Sequence, residues 1–182
     1  GDRFISVWQD SNAAVTGGNG PDIVAQIFDT RAPGQHIVGD FVTPTGRVAA
    51  RPDILVGTNG NDFILGDISD SDGAADWIFA GMGDDTMQGG PSDRVAAVRS
   101  EILDGGLGTD TAVYTGNFAD YEITAIFGNE RGPGFQITDL RPTEDANNNL
   151  LQNDGTDFVY NVERLAFADQ SIDVAADIYN PP

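Results

Sequence analysis

Three nine-residue segments written in one grammar constrain this chain more than anything else in it. Gly57-Thr58-Asn59-Gly60-Asn61-Asp62-Phe63-Ile64-Leu65, Ala80-Gly81-Met82-Gly83-Asp84-Asp85-Thr86-Met87-Gln88 and Gly105-Gly106-Leu107-Gly108-Thr109-Asp110-Thr111-Ala112-Val113 each place a glycine-rich turn before an Asp. Each then continues with three strand-like residues whose centre is apolar. Glycine permits the positive φ that points carbonyls inward, and Asp adds charge and oxygen donors without bulk. A flexible Gly-rich linker would carry no apolar period, yet Leu55, Ile64, Ile78, Met87, Leu103 and Ala112 recur where an interior residue is required.

Aligning on the acid and on the apolar residue two places later recovers further half-turns. Asp53-Ile54-Leu55-Val56 closes a degenerate one, Asp76-Trp77-Ile78-Phe79 one that begins at Gly66 and is lengthened, and Glu101-Ile102-Leu103-Asp104 one that begins at Gly89-Gly90. Two half-turns make one coil, so successive turns lie on opposite edges of a flattened structure. Asp62, Asp85 and Asp110 share a regular edge, while Asp53, Asp76 and Glu101 share an edge that takes every insertion. The outward strand positions Ile54, Val56, Trp77, Phe79 and Ile102 fall on one sheet, and so apolar a face calls for a cover from the flanking segments.

The nonapeptide resembles the G-G-x-G-x-D-x-U-x repeat of RTX (repeats-in-toxin, hemolysin-type calcium-binding) proteins. The stretch from Asn161 to Asp169, read as N-V-E-R-L-x-F-A-D, is similar to the ending of many of them. The resemblance implies an all-β chain with a short calcium-binding parallel β-roll over residues 51–113; the strand-like β-segment before it, over 1–50, is expected to be the remnant of an upstream sheet repeat. An antiparallel β cap and C-terminal tail follow over 114–182. It implies calcium ions between stacked turns of one edge, held by the Asp of each turn and by backbone carbonyls. Two regular-edge sites are then expected, one between the turns of Asp62 and Asp85 and one between those of Asp85 and Asp110, with Asp85 shared. Their carbonyl set is Gly57, Asn59, Gly60, Ala80, Met82, Gly83, Gly105, Leu107 and Gly108. Asp53, Asp76 and Glu101 are candidate ligands on the second edge. The inserted loop with Asp67, Asp70 and Asp72 leaves two readings open, an additional irregular calcium site or a solvated loop; Asp72 stands where an EF-hand loop wants Gly.

Charge agrees with this direction. The 182 residues carry 29 acidic against 9 basic side chains, a formal charge of -20, which argues against nucleic acid and anionic membrane as partners. Residues 53 to 110 hold twelve of the acids against Arg94 and Arg99. The absence of cysteine excludes disulfides, thiolate metal sites and cysteine nucleophiles. No apolar run approaches the roughly 18 residues of a membrane span. The first Met is Met82, so the expectation is a processed or excised part of a longer protein whose N-terminal part is a partner.

Outside the repeats, Phe4 to Trp8 and Asp22 to Asp29 read as strands joined by a Gly/Asn-rich loop, with a third candidate from His36 to Val42. His36 is the only histidine and reads as structural, since no Ser/His/Asp constellation accompanies it. Asp120 to Phe127 and Phe135 to Asp139 read as a hairpin, and 141–155 as a polar connecting loop. The resulting expectation is not an enzyme but a secreted, extracellular or cell-surface module, exported by type I secretion machinery, that folds on calcium. Two alternatives stand beside it: the C-terminal tail of a secreted enzyme such as a hydrolase or haem peroxidase, with catalysis upstream, and an adhesion or carbohydrate-binding module.

Overall fold

The computed structural model describes residues 4–9 and 23–28 at the level of the backbone, and residues 34–39, 54–66, 75–90, 100–128, 130–146 and 151–174 in full. The chain divides into two units, Gly1–Ala32 and Pro33–Pro182. In the first, β1 (Phe4–Gln9) and β2 (Ile23–Phe28) pair antiparallel, with Phe4 opposite Phe28 and Gln9 opposite Ile23.

The second unit is all-β and holds two mixed six-stranded sheets. Its strands are β3 (His36–Val38), β4 (Ile54–Val56), β5 (Phe63–Leu65), β6 (Trp77–Met82), β7 (Thr86–Gln88), β8 (Ser100–Leu107), β9 (Thr111–Val113), β10 (Tyr121–Ile126), β11 (Gly134–Asp139), β12 (Thr156–Tyr160), β13 (Arg164–Ala166) and β14 (Ser171–Asp173). A 3₁₀ turn, Phe118–Asp120, precedes β10. From β3 to β9 the chain alternates between the sheets, so that one has the order β14-β13-β9-β7-β5-β3 and the other β10-β11-β12-β8-β6-β4.

Register follows the apolar period. Parallel pairs align Ile64 with Met87 and Met87 with Ala112 in one sheet, and Leu55 with Ile78 and Ile78 with Leu103 in the other. Because strand side chains alternate between faces, these residues meet in the interior. Ile64, Ile78, Met87, Leu103 and Ala112 are completely buried in one core, and Leu55 packs against it half-buried. Val159 and Leu165 extend the same two rows by a further layer.

Three features differ from the sequence expectation. His36–Val38 is not a third strand of the N-terminal segment: it pairs parallel with β5, placing Ile37 beside Ile64. Nor is the segment after Tyr114 purely antiparallel. β10, β11 and β14 are, but β12 and β13 pair parallel with β8 and β9. They continue the alternation without a glycine-rich nonapeptide to announce them. Finally, the cover expected over the outer apolar face is partial. Ile54 stays 57% and Trp77 39% exposed, while the Arg131 guanidinium lies over the Phe79 ring at 5.6 Å and Phe158 lies beside Ile102. Among the described residues no helix is long and apolar enough to cross a membrane.

Candidate metal centre

The parallel register of β5, β7 and β9 stacks the turns 57–62, 80–85 and 105–110 on one edge. Asp62, Asp85 and Asp110, each the last residue before its strand, form a buried column. Its geometry is a ladder in which each carboxylate caps the main chain of the preceding layer. Asp62 N–H donates to Asp85 Oδ1 at 2.7 Å, and Asp85 N–H to Asp110 Oδ1 at 2.8 Å. The column extends beyond the repeats in both directions: Gln35 N–H donates to Asp62 Oδ1, and Asp110 N–H to Glu163 Oε2 at 2.8 Å. A second ladder runs outside it, with Asp84 N–H donating to Asn61 Oδ1 and Thr109 N–H to Asp84 Oδ1.

The other oxygen of each Asp separates the three layers. In the first, Asp62 Oδ2 accepts from the Thr58 N–H and lies 3.0 Å from Thr58 Oγ1. The second and third repeats have Gly81 and Gly106 in that place, and Asp85 Oδ2 and Asp110 Oδ2 are buried without any hydrogen-bond partner. Such orphaned acceptors are uncommon in folded proteins and call for a cause. Burial foremost, then neighbouring carboxylates, pushes both groups from 3.8 up to about 6, although each receives a main-chain hydrogen bond that acts the other way.

Around these carboxylates the turns approach too closely for side chains. A Cβ on Gly57 would lie 2.0 Å from the Ala80 carbonyl oxygen, and one on Gly81 2.3 Å from that of Thr58. One on Gly106 would lie 2.2 Å from the Gly81 oxygen, and one on Gly108 1.8 Å from the Gly83 oxygen. Gly81, Gly83, Gly106 and Gly108 also have positive φ. Of the carbonyls expected as ligands, those of Gly60, Ala80 and Gly83 face the adjoining turn, and that of Leu107 accepts the Gly83 N–H at 2.9 Å. Met82 and Leu107 turn their side chains outward, 49% and 66% exposed, and Asn59 is exposed too. The Thr58 and Gly81 carbonyls join the stack without having been expected there.

Glycines and buried acids are also paired on the second edge. Asp76 and Glu101 are buried, both Glu101 oxygens accept from the Gly90 N–H, and a Cβ on Gly89 would strike Glu101 Oε2. The next acid in this row is Asp157, beside Glu101 in β12. Here the pattern closes, because Tyr114 follows β9 where Gly66 and Gly89 follow β5 and β7. Its ring packs on Phe167 and Tyr121, and its hydroxyl and Asp157 Oδ1 are buried without a hydrogen bond of normal geometry. Burial and the charge of Asp154 hold the Asp157 carboxyl well above its ordinary range, and the Tyr114 ring takes the place that glycines hold in the other layers. Asp53, Asp67, Asp70 and Asp72 lie outside the described residues.

Among the described residues no three His, Cys, Asp or Glu side chains converge as a metal cluster. A cation on the regular edge would therefore draw on one or two carboxylates and on main-chain carbonyls, an all-oxygen donor set that suits a hard ion such as calcium. The stacked carbonyls and the two orphaned Asp oxygens fit such an ion. Glu163 and Asp157 were missed as members of the acidic rows. Their signal is acid-x-apolar-x, in Glu163-Arg164-Leu165-Ala166 and Asp157-Phe158-Val159-Tyr160, without the glycines that mark the other layers. No protein-family model, curated protein or solved structure matches this chain.

Proposed function

We propose that strands β3 to β9, continued by β12 and β13, form a short calcium-binding parallel β-roll of the RTX type, and that the chain is a module that folds on calcium after secretion. It then stabilises or caps a larger extracellular protein. The observation that carries this reading is the pair of buried, partnerless oxygens, Asp85 Oδ2 and Asp110 Oδ2, set within stacked glycine turns. Calcium, when bound, supplies the positive charge that these carboxylates lack. The chain's own part is to hold the oxygens in place: Oδ1 of each Asp is tied to the preceding layer, which leaves Oδ2 to the ion. Without metal, two buried carboxylates oppose folding; at the calcium levels outside cells, about millimolar, weak extracellular-type sites fill and binding becomes folding free energy. A chain loose at low cytosolic calcium would suit export by type I machinery.

Titration of the metal-free chain with calcium, followed by circular dichroism and reversed with EDTA, tests this. A gain of β-signal that EDTA abolishes is expected, and an unchanged spectrum up to millimolar calcium would sink the proposal.

A further inference from the structure

The cradle at the start of the first turn is repeated, with one difference, at the start of the third. The position a Gly57 Cβ would take is 2.0 Å from the Ala80 oxygen and 2.7 Å from Asp62 Oδ2. For Gly105 the corresponding point is 2.2 Å from the Asn161 carbonyl oxygen and 2.6 Å from both Asp110 Cβ and Asp110 Oδ2. In the first cradle Thr58 supplies donors to the carboxylate. In the third, Thr58 is replaced by Gly106, and the Asn161 and Asp110 oxygens lie on either side of Gly105, where no side chain intervenes. Asp110 is completely buried and its Oδ2 has no partner.

The carbonyl that closes this space comes from outside the glycine-rich repeats. Asn161 is the one non-glycine residue with positive φ among those described, at 50°, in the left-handed region that Asn tolerates better than most residues. Its side chain is tethered, Nδ2 donating to Asp104 Oδ1 at 2.7 Å. The two residues after Val162 clamp the same Asp110: the Glu163 and Arg164 N–H groups donate to its carbonyl at 3.1 and 3.0 Å, and Glu163 Oε2 accepts its N–H. Every main-chain polar group of Asp110 is thus satisfied by this segment, and only Oδ2 is left facing the Asn161 oxygen.

We propose that a calcium ion at Asp110 is completed by the Asn161 main-chain carbonyl, so that one ion fastens the β12–β13 segment onto the last glycine-rich turn. This rests on the calcium reading above and goes beyond it by making a residue outside the repeats a ligand. Two substitutions remove the tether to Asp104 equally but treat the backbone differently. Asn161→Gly keeps the left-handed conformation, whereas Asn161→Val, β-branched, resists it and swings the carbonyl away.

Calorimetric titration with calcium should give Asn161→Gly as many bound ions per chain as the wild type, and Asn161→Val one fewer. A folded Asn161→Val protein that keeps the full number overturns the proposal. Should Asn161→Val not fold, the wild type decides. Asn161-Val162 is the only Asn-Val pair in the sequence, so carbonyl-¹³C asparagine with ¹⁵N-valine labelling isolates a single resonance for this carbonyl. Saturating terbium in place of calcium should bleach it relative to diamagnetic lanthanum, and a peak that survives terbium overturns the proposal. A wild-type chain that binds neither calcium nor terbium fails the calcium reading itself, a different result from a chain that binds fully without Asn161.

Discussion

At the scale of single residues, chemically identical carboxylates in identical repeat positions are not equivalent. Thr58 satisfies Asp62, while Asp85 and Asp110 each leave one oxygen unpaired. Asp85→Asn and Asp110→Asn should therefore each cost one bound calcium, whereas Asp62→Asn should keep both, as ion counting by calorimetry would show; equal losses in all three would contradict this assignment. The sequence expectation had Asp85 shared by two sites, because spacing reveals which acids stack but not which neighbour supplies a competing N–H or hydroxyl. Proton linkage gives a second outcome. Both carboxyls titrate near 3.8 when unfolded and near 6 in the metal-free fold, so between those values the folded chain binds more protons. Metal-free stability is then greatest below about 4 and falls as pH rises through about 6, the sense opposite to that of a salt-bridged Asp. Calcium affinity should rise across the same window, since metal and proton compete for the same oxygens. Circular dichroism of the metal-free chain from pH 4 to 7 checks the sign, since its β-signal should fall as pH rises, and the Asp85→Asn/Asp110→Asn double variant should flatten the dependence relative to the wild type.

At the scale of elements, the glycines do two separable things. Gly106 and Gly128 both have positive φ, at 91° and 77°, but a Cβ on Gly106 would lie 2.2 Å from the Gly81 oxygen and one on Gly128 would meet nothing within 4 Å. Gly128→Ala should cost only the backbone conformation, about 1–2 kcal/mol. Gly106→Ala must also separate two stacked turns, so its midpoint in urea should fall well below that of Gly128→Ala; equal midpoints would mean that the turns do not stack tightly. This distinction marks what was legible in sequence. Layers with both glycines and an acid, ending at Asp62, Asp85 and Asp110, could be put in register from spacing alone, and Ile64, Met87 and Ala112 fell inside accordingly. β12 and β13 were not legible as parallel strands, because their turns use Asn161 rather than a glycine run and lie beyond a hairpin. The connecting loop after β11 also hid its chemistry. Asp154 is buried, accepting from the Thr115 N–H and the Tyr121 hydroxyl at 2.6 Å, and Arg141 joins it to Asp139. Residues 39 positions apart meet there, and no local pattern announces so distant a pair.

At the scale of the whole second unit, the C-terminal end of the stack and the repeats are held together differently, which sets what the proposed calcium sites should add to stability. Towards the C-terminus, Tyr114, Tyr121, Phe118 and Phe167 pack ring against ring, and antiparallel β10, β11 and β14 border the parallel strands. That end is held by ordinary burial and by the network of Asp154. Between the sheets, by contrast, the repeats contribute a narrow row, one residue from each strand save β6, which adds Ala80 to Ile78, and the chain carries a formal charge of -20. Such a core is thin against its conformational entropy, so on the proposed calcium reading the repeats should gain stability when Asp85 and Asp110 are neutralised. Because a ligand that binds only the folded state adds RT ln(1 + [L]/Kd) for each site, each ion should stabilise the unit by about 2.7 kcal/mol at a hundredfold excess over Kd. Plotted against the logarithm of free calcium, the unfolding free energy should rise with a slope of two ions, one for each orphaned carboxylate. Urea unfolding at a series of buffered calcium concentrations measures that slope. A slope of one would leave a single site and identify one of the two carboxylates as filled by something other than calcium, and a slope of zero would remove calcium from the stability of the fold altogether.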